Sequence, residues 1–325
     1  MELICPAGTP AALKTAMDAG ADAIYCGFND ETNARNFPGL NFSRDELRRA
    51  VASAHARGVK VLVAINTFPR ASAVDLWQRA VDDAVKAGAD ALILADVGLL
   101  DYAARTHPEQ RLHLSVQAAA ANPDAIAFYV ETFGVRRVVL PRVLSLPEIA
   151  DIVREIKCET EVFVFGGLCV MEEGRCSLSS YATGKSPNMQ GVCSPASHVA
   201  YEHGADGTRS RLGGFTINSF AADEPAGYPT LCKGRFSTEH GTGYIFEDPV
   251  SLDATTLLGG LRDAGVTALK IEGRQRGRAY VESVVRHFRR ALDALAAGQS
   301  ADVGQLTPFT EGQVTTVGAY RKTWR

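Results

Sequence analysis

A chain of 325 residues with 46% hydrophobic and 22% charged residues has the composition of a folded globular protein, which excludes a disordered or fibrous one. Its formal net charge of −3 excludes a global electrostatic pull toward nucleic acid or anionic membrane. The opening "MELICPAG" has no basic segment followed by an apolar one, and the longest apolar runs are too short to cross a bilayer. A cytoplasmic protein with no membrane span is therefore expected, and in a reducing compartment its seven cysteines read as metal-binding or catalytic rather than disulfide-bonded.

In chain order, strand candidates fall at 2–5, 22–26, 59–65, 90–95, 111–116, 136–140, 160–165 and 267–272. Four of them share one local pattern: "DAGADAIYCGF" (18–28), "KAGADALILAD" (86–96), "TFGVRRVVLPR" (132–142) and "DAGVTALKIEGR" (263–274). Each pattern is a helix end, a glycine that tolerates the left-handed cap, a short step and an apolar strand. Strands this apolar suit burial on both faces, the mark of a parallel sheet. Between them lie amphipathic helices with capping residues Ser43 (Glu46 three positions on), Asn122 and Ser145.

Eight strands alternating with helices predict an α/β fold, a (β/α)8 TIM-like barrel. The first strand is not followed by G-x-G-x-x-G, which counts against a dinucleotide-binding sheet. The period breaks once, where about 100 residues separate the seventh strand from the eighth. The expected organisation is a barrel from 1–165 and 251–298, an insertion at 166–250 carrying short strand-like pieces ("GGFTINSF", "GTGYIF"), and a tail at 299–325.

Four cysteines lie in that insertion: Cys169, Cys176, Cys193 and Cys232, spaced C-x6-C-x16-C-x38-C. Structural zinc usually uses paired C-x2-4-C knuckles, which are lacking; four thiolates from irregular loops suit an iron–sulfur cluster better. Arg175, Lys185, Lys233 and Arg235 are nearby cations expected to lower the thiol pKa values. Cys5, Cys26 and Cys158 read as buried small residues.

Chemistry in such a barrel sits at the C-terminal strand ends. There the sequence places Asn66, Asp96, Gln117, Arg142, Glu272 and Arg274. For any one of these, capping or salt bridging is the ordinary role. As a set, Arg142 and Arg274 could clamp a dicarboxylate, with Glu272 as acid/base or as the residue holding Arg274. Peptidase activity has little local support: G-x-S-x-G and H-E-x-x-H are lacking, and His113, His198 and His240 are scattered.

"EVFVFGGLCVMEEGRCSLSS" (161–180) resembles the signature of the collagenase-like peptidase U32 family through Glu161, Phe163, Gly166, Leu168, Cys169, Gly174, Cys176, Leu178 and Ser179. "CPAG…AGADAIYCG" and "ALKIEGR" extend the resemblance over most of the chain. Glu172 and Glu173 stand where the family has Tyr-Ser, and "GVCSPASH" (191–198) departs from the common pattern around the third cysteine. These features are similar to the ubiquinone-biosynthesis branch of the family. That resemblance implies a [4Fe-4S] cluster on Cys169, Cys176, Cys193 and Cys232. It further implies O2-independent hydroxylation of a prenylated aromatic quinone precursor, with prephenate as oxygen donor. The implied partners are a UbiV-like paralogue in a heterodimer and a lipid-carrier accessory protein. Two alternatives stand beside it. One is hydroxylation of RNA bases, supported locally by Arg274, Arg276 and Arg278 but opposed by the net charge. The other is a non-catalytic cluster-bearing scaffold.

Overall fold

Parallel pairing runs unbroken through the first seven strands of the computed structural model, which describes residues 1–169, 176–187, 193–299 and 304–321. They are β1 (Glu2–Pro6), β2 (Ala23–Cys26), β3 (Lys60–Ile65), β4 (Ala91–Leu94), β5 (Leu112–Leu114), β6 (Arg137–Val139) and β7 (Glu159–Gly167). Helices α1 (Pro10–Ala19), α2 (Arg44–His55), α3 (Val74–Lys86), α4 (Val97–Thr106), α5 (Pro123–Phe133) and α6 (Leu146–Glu155) fill the intervals. After β7 come a short α7 (Leu178–Thr183), an antiparallel sheet β8 (Val199–Gly204), β9 (Gly207–Leu212) and β10 (Phe215–Phe220), and a hairpin of β11 (Arg235–Thr238) and β12 (Gly241–Tyr244). Strand β13 (Ser251–Asp253) turns back antiparallel on the end of β7, and α8 (Leu258–Asp263) leads into β14 (Ala268–Ile271). Strand β14 pairs with both β1 and β7, closing the eight-stranded barrel, and α9 (Arg278–Ala296) packs outside it against α1.

The predicted strands and caps are all present, for the physical reasons that predict them. Gly20, Gly88, Gly134 and Gly265, the repeated glycines, all have left-handed φ between 68° and 101°, a region an L side chain rarely adopts. Ser43 and Ser145 each form a full capping box, and Asn122 accepts from the Ala125 amide at 2.8 Å. The strand-like pieces expected around 213–220 and 241–246 correspond to β10 and β12.

Apolar side chains divide into a layer between strands and helices and a smaller cluster in the lumen: Ile4, Ala23, Tyr25, Leu62, Ala64, Ala91, Ile93 and Ala268. The opposite arc of the lumen is charged. His113, Arg137, Glu161 and Lys270, on β5, β6, β7 and β14, are all buried. Arg137 bonds Glu2 at 2.6 Å, Glu159 at 2.5 Å and Glu161 at 3.4 Å, so this charge is saturated at the bottom of the barrel. The tail has a defined course. Strand β15 (Thr315–Thr316) pairs with β13, Leu306 and Tyr320 are buried, and the Tyr320 hydroxyl donates to the Phe163 carbonyl beside the register shift in β14. Among the described residues no helix is long and apolar enough to cross a membrane.

Candidate functional site

A cavity of about 520 Å3, counted out to the solvent at its mouth, opens at the C-terminal ends of the barrel strands. Its floor is the Tyr25 ring, with Lys270 Nζ at 3.8 Å and the Arg274 guanidinium carbon at 5.4 Å from the ring centroid. Glu272, from the same strand end, is held from two sides: by Arg35 at 3.0 Å and Arg142 at 2.8 Å. Burial raises its pKa, but Arg142 and Arg35 outweigh burial and hold the carboxyl at about 2. Glu272 is therefore a fixed carboxylate near neutral pH, unsuited to acid catalysis, and it binds Arg142 and Arg35 rather than Arg274.

Gly166 explains how β7 comes so close to that residue. Its φ is 128°, and a Cβ there would stand 2.6 Å from Glu272 Cβ. Arg142 also lies over the Phe163 ring at 3.6 Å.

Arg274 is placed differently. It is 5% exposed, its NH1 donates to Asn33 Oδ1 at 2.6 Å, and among the described residues no carboxylate lies within ion-pair distance of it. Burial pulls its pKa down to about 10, which still leaves it charged at neutral pH. Glu272 acts on Arg274 only from a distance, and a buried guanidinium with no carboxylate in contact beside an open cavity is costly unless a ligand supplies the anion. The Gln117 Oε1, buried in the same wall, has no hydrogen-bond partner among the described residues.

Of the six mouth residues expected from sequence, Asn66, Gln117, Arg142, Glu272 and Arg274 line the cavity. Asp96 instead caps α4 through the Leu99 amide at 2.9 Å. The sequence reading missed Arg35, Asn33, Tyr25 and Lys270. Two of these come from the 17-residue connection between β2 and α2, far longer than the usual two to six residues. That length was the available signal. Within the connection, Asn41 donates to the Arg35 carbonyl, and Asn66 accepts from the Ala34 amide. The expected basic run also separates: Arg274 faces the cavity, while Arg276 binds the Phe309 carbonyl and Arg278 starts α9 at the surface.

Cys169, Cys176, Cys193 and Cys232 all lie close enough for the other three thiols to raise the pKa of Cys232. Burial pushes Cys232 up to about 12, with Lys233 opposing; Cys193 is exposed by surface area, and the atoms crowded around its thiol raise its pKa too, opposed by Arg35. The expected lowering by nearby cations is thus overturned: desolvation and mutual repulsion win over Lys233, and Arg235 is committed to Glu224. Arg175, Glu172 and Glu173 lie outside the described residues. Cys193 is also influenced by Glu272 and Arg35, which sets the thiol group beside the cavity. Among the described residues no three His, Cys, Asp or Glu side chains stand close enough to hold a single metal ion. Three thiols near Cys232 that do not converge on one point fit a group wider than one ion, and a cationic centre would offset the repulsion they exert on it. Cys5 and Cys26 are buried in strands and Cys158 is half-buried.

Of the scattered histidines, His113 is buried in the lumen and its pKa is pushed well below the ordinary value by burial and by Arg137 and Arg111. His240 is exposed, and among the described residues no histidine lines the cavity.

Comparison with known proteins gives one family: residues 8–317 match Peptidase family U32. The tRNA hydroxylation protein P of Escherichia coli (strain K12) is 34% identical over 330 residues, covering 94% of this chain and 70% of the relative. The 23S rRNA 5-hydroxycytidine C2501 synthase of the same organism is 31% identical, covering 91% of this chain and 40% of its own. The collagenase of Porphyromonas gingivalis is 29% identical, covering 91% and 66%.

Proposed function

The chain belongs to the peptidase U32 family, and from that premise we propose that it is a component of an oxygen-independent hydroxylase acting on a base in RNA. The names of its tRNA- and rRNA-hydroxylating relatives support the reaction class and this substrate. The observation that carries the reading is Arg274: a buried cation without a carboxylate partner, facing a small-molecule cavity. Hydroxylation without O2 needs an oxygen donor delivered as a small molecule, and an anionic donor such as prephenate satisfies this charge. Arg274 orients the donor's carboxylate, Asn33 fixes the guanidinium, and Glu272 keeps Arg35 and Arg142 in place. Proteolysis is disfavoured because no histidine among the described residues lines the cavity.

Cys169, Cys176, Cys193 and Cys232 would hold a [4Fe-4S] cluster beside this cavity. When bound, the cluster would supply one-electron chemistry or a Lewis-acidic iron.

A second reading, in which the ring belongs to a prenylated quinone precursor and a UbiV-like paralogue completes a heterodimer, is favoured by one surface observation. The β7–β14 connection exposes Tyr181 and Phe215, whose rings lie 5.6 Å apart, together with Tyr228, Ile245 and Phe246. Exposed aromatic and aliphatic side chains in this connection suit an apolar partner better than the basic surface RNA recognition favours.

Chain purified without oxygen is expected to be brown, with about four irons and four sulfides; stoichiometric zinc without iron would overturn the cluster. Mass spectrometry of nucleosides from a deletion strain should then lack one hydroxylated base. Intact nucleosides with ubiquinone lost under anaerobic growth would replace the RNA reading with the quinone one.

A further inference from the structure

Lys270 is the cavity residue that the preceding reading leaves without a task. It lies on the last barrel strand, 5% exposed, and lines the cavity floor. An ammonium carries three N–H donors. Among the described residues Lys270 bonds one acceptor, Glu161 Oε1 at 2.5 Å, and otherwise rests over the face of Tyr25. Glu161 is completely buried, and its second oxygen meets Arg137 at 3.4 Å. A charged column thus runs from the bottom rim up through the lumen and ends at Lys270.

Stability does not require this column. The facing arc of the same lumen is filled by Ile4, Leu62, Ala64 and Ile93, and apolar replacement of buried ion pairs is often neutral or stabilising. The column's effect is positional: it keeps a charged amine at the cavity floor. Opposite Lys270 and Ile271, β7 carries one extra residue, Val164, between Phe163 and Phe165, so the neighbouring strand bulges beside the Lys270 side chain.

We propose that Lys270 is a ligand-binding residue that takes a second oxygen, carboxylate or carbonyl, of the small organic anion whose first carboxylate Arg274 receives. Both cations line one cavity and lie 3.8 and 5.4 Å from the centre of the same aromatic ring, so a compact molecule with two acceptor groups can reach both. The proposal rests on reading the cavity as an anion site, but not on the reaction carried out there. Its test is therefore binding rather than hydroxylation.

The probes are malonate, with two carboxylates, and propionate, with one, titrated calorimetrically into the full chain. The wild type should bind malonate more tightly than propionate by about ten- to a hundred-fold, the usual weight of a charged hydrogen bond. Lys270→Met should remove that preference and leave propionate unchanged. Because Lys270→Met leaves the buried Glu161 only Arg137 at 3.4 Å, the double variant Lys270→Met with Glu161→Gln removes both charges of the broken pair and leaves Arg137 its pairs with Glu2 and Glu159. A folded double variant that prefers malonate as the wild type does would overturn the proposal, and so would a wild type with no such preference. Lost preference alongside absent hydroxylation in any assay would leave the proposal standing and remove only the hydroxylase reading.

Discussion

Arg137 and Arg274 are equally buried, both 5% exposed, at opposite ends of one barrel. At the bottom, Arg137 is ringed by Glu2, Glu159 and Glu161. At the mouth, Arg274 has an asparagine oxygen, the edge of a tyrosine and an open cavity. The contrast separates structural charge from functional charge. A buried cation whose counter-ions come from the fold is part of the architecture, and one whose counter-ion is missing marks where a ligand must complete the account.

The largest expected effect breaks the saturated end. Arg137→Met removes the buried cation shared by Glu2, Glu159 and Glu161 and should cost about 3–5 kcal/mol in urea unfolding. A loss under 1 kcal/mol would mean that the lower column is not a closed charge network.

Next comes the fixed carboxylate between the two ends. Its ordinary pKa of 4.5 falls to about 2 in the folded chain. Because the folded value is depressed, the stabilisation is fully present above about pH 4.5 and is lost as pH falls through about 2. The contribution is on the order of 3 kcal/mol. Melting curves of Glu272→Gln should lose that part of the acid dependence relative to the wild type. Parallel pH profiles would show that Arg35 and Arg142 do not hold Glu272 as described.

A smaller effect sharpens the unsaturated end. Asn33→Ala frees the Arg274 guanidinium, and malonate affinity should fall about ten-fold, the weight of one charged hydrogen bond. The smallest is a control: Asp96→Ala removes an α4 cap and should cost about 1 kcal/mol of stability while leaving affinity unchanged. A changed affinity would return Asp96 to the site.

What could be read from sequence follows the range of the interaction. Eight strands and three caps were legible because a strand buried on both faces, or a serine with glutamate three residues on, is a local signal. The positions of Arg142, Glu272 and Arg274 followed from strand ends alone. Their partners did not: the Arg35–Glu272 pair joins residues 237 positions apart and depends on the barrel having closed. Tyr320 was likewise unreadable, because its use, a hydroxyl on the Phe163 carbonyl, joins residues 157 positions apart. The pKa of Cys193 and Cys232 was misjudged for the same reason. Nearby lysines and arginines are visible in a sequence, but desolvation is not.

The central claim is that Arg274 awaits an anion from outside the protein. Calorimetric titration of malonate into wild type and Arg274→Met tests it most directly. The expected result is saturable binding that weakens about a hundred-fold in the variant, with the variant at least as stable because an uncompensated buried charge is gone. Equal affinity in the two proteins would contradict the claim.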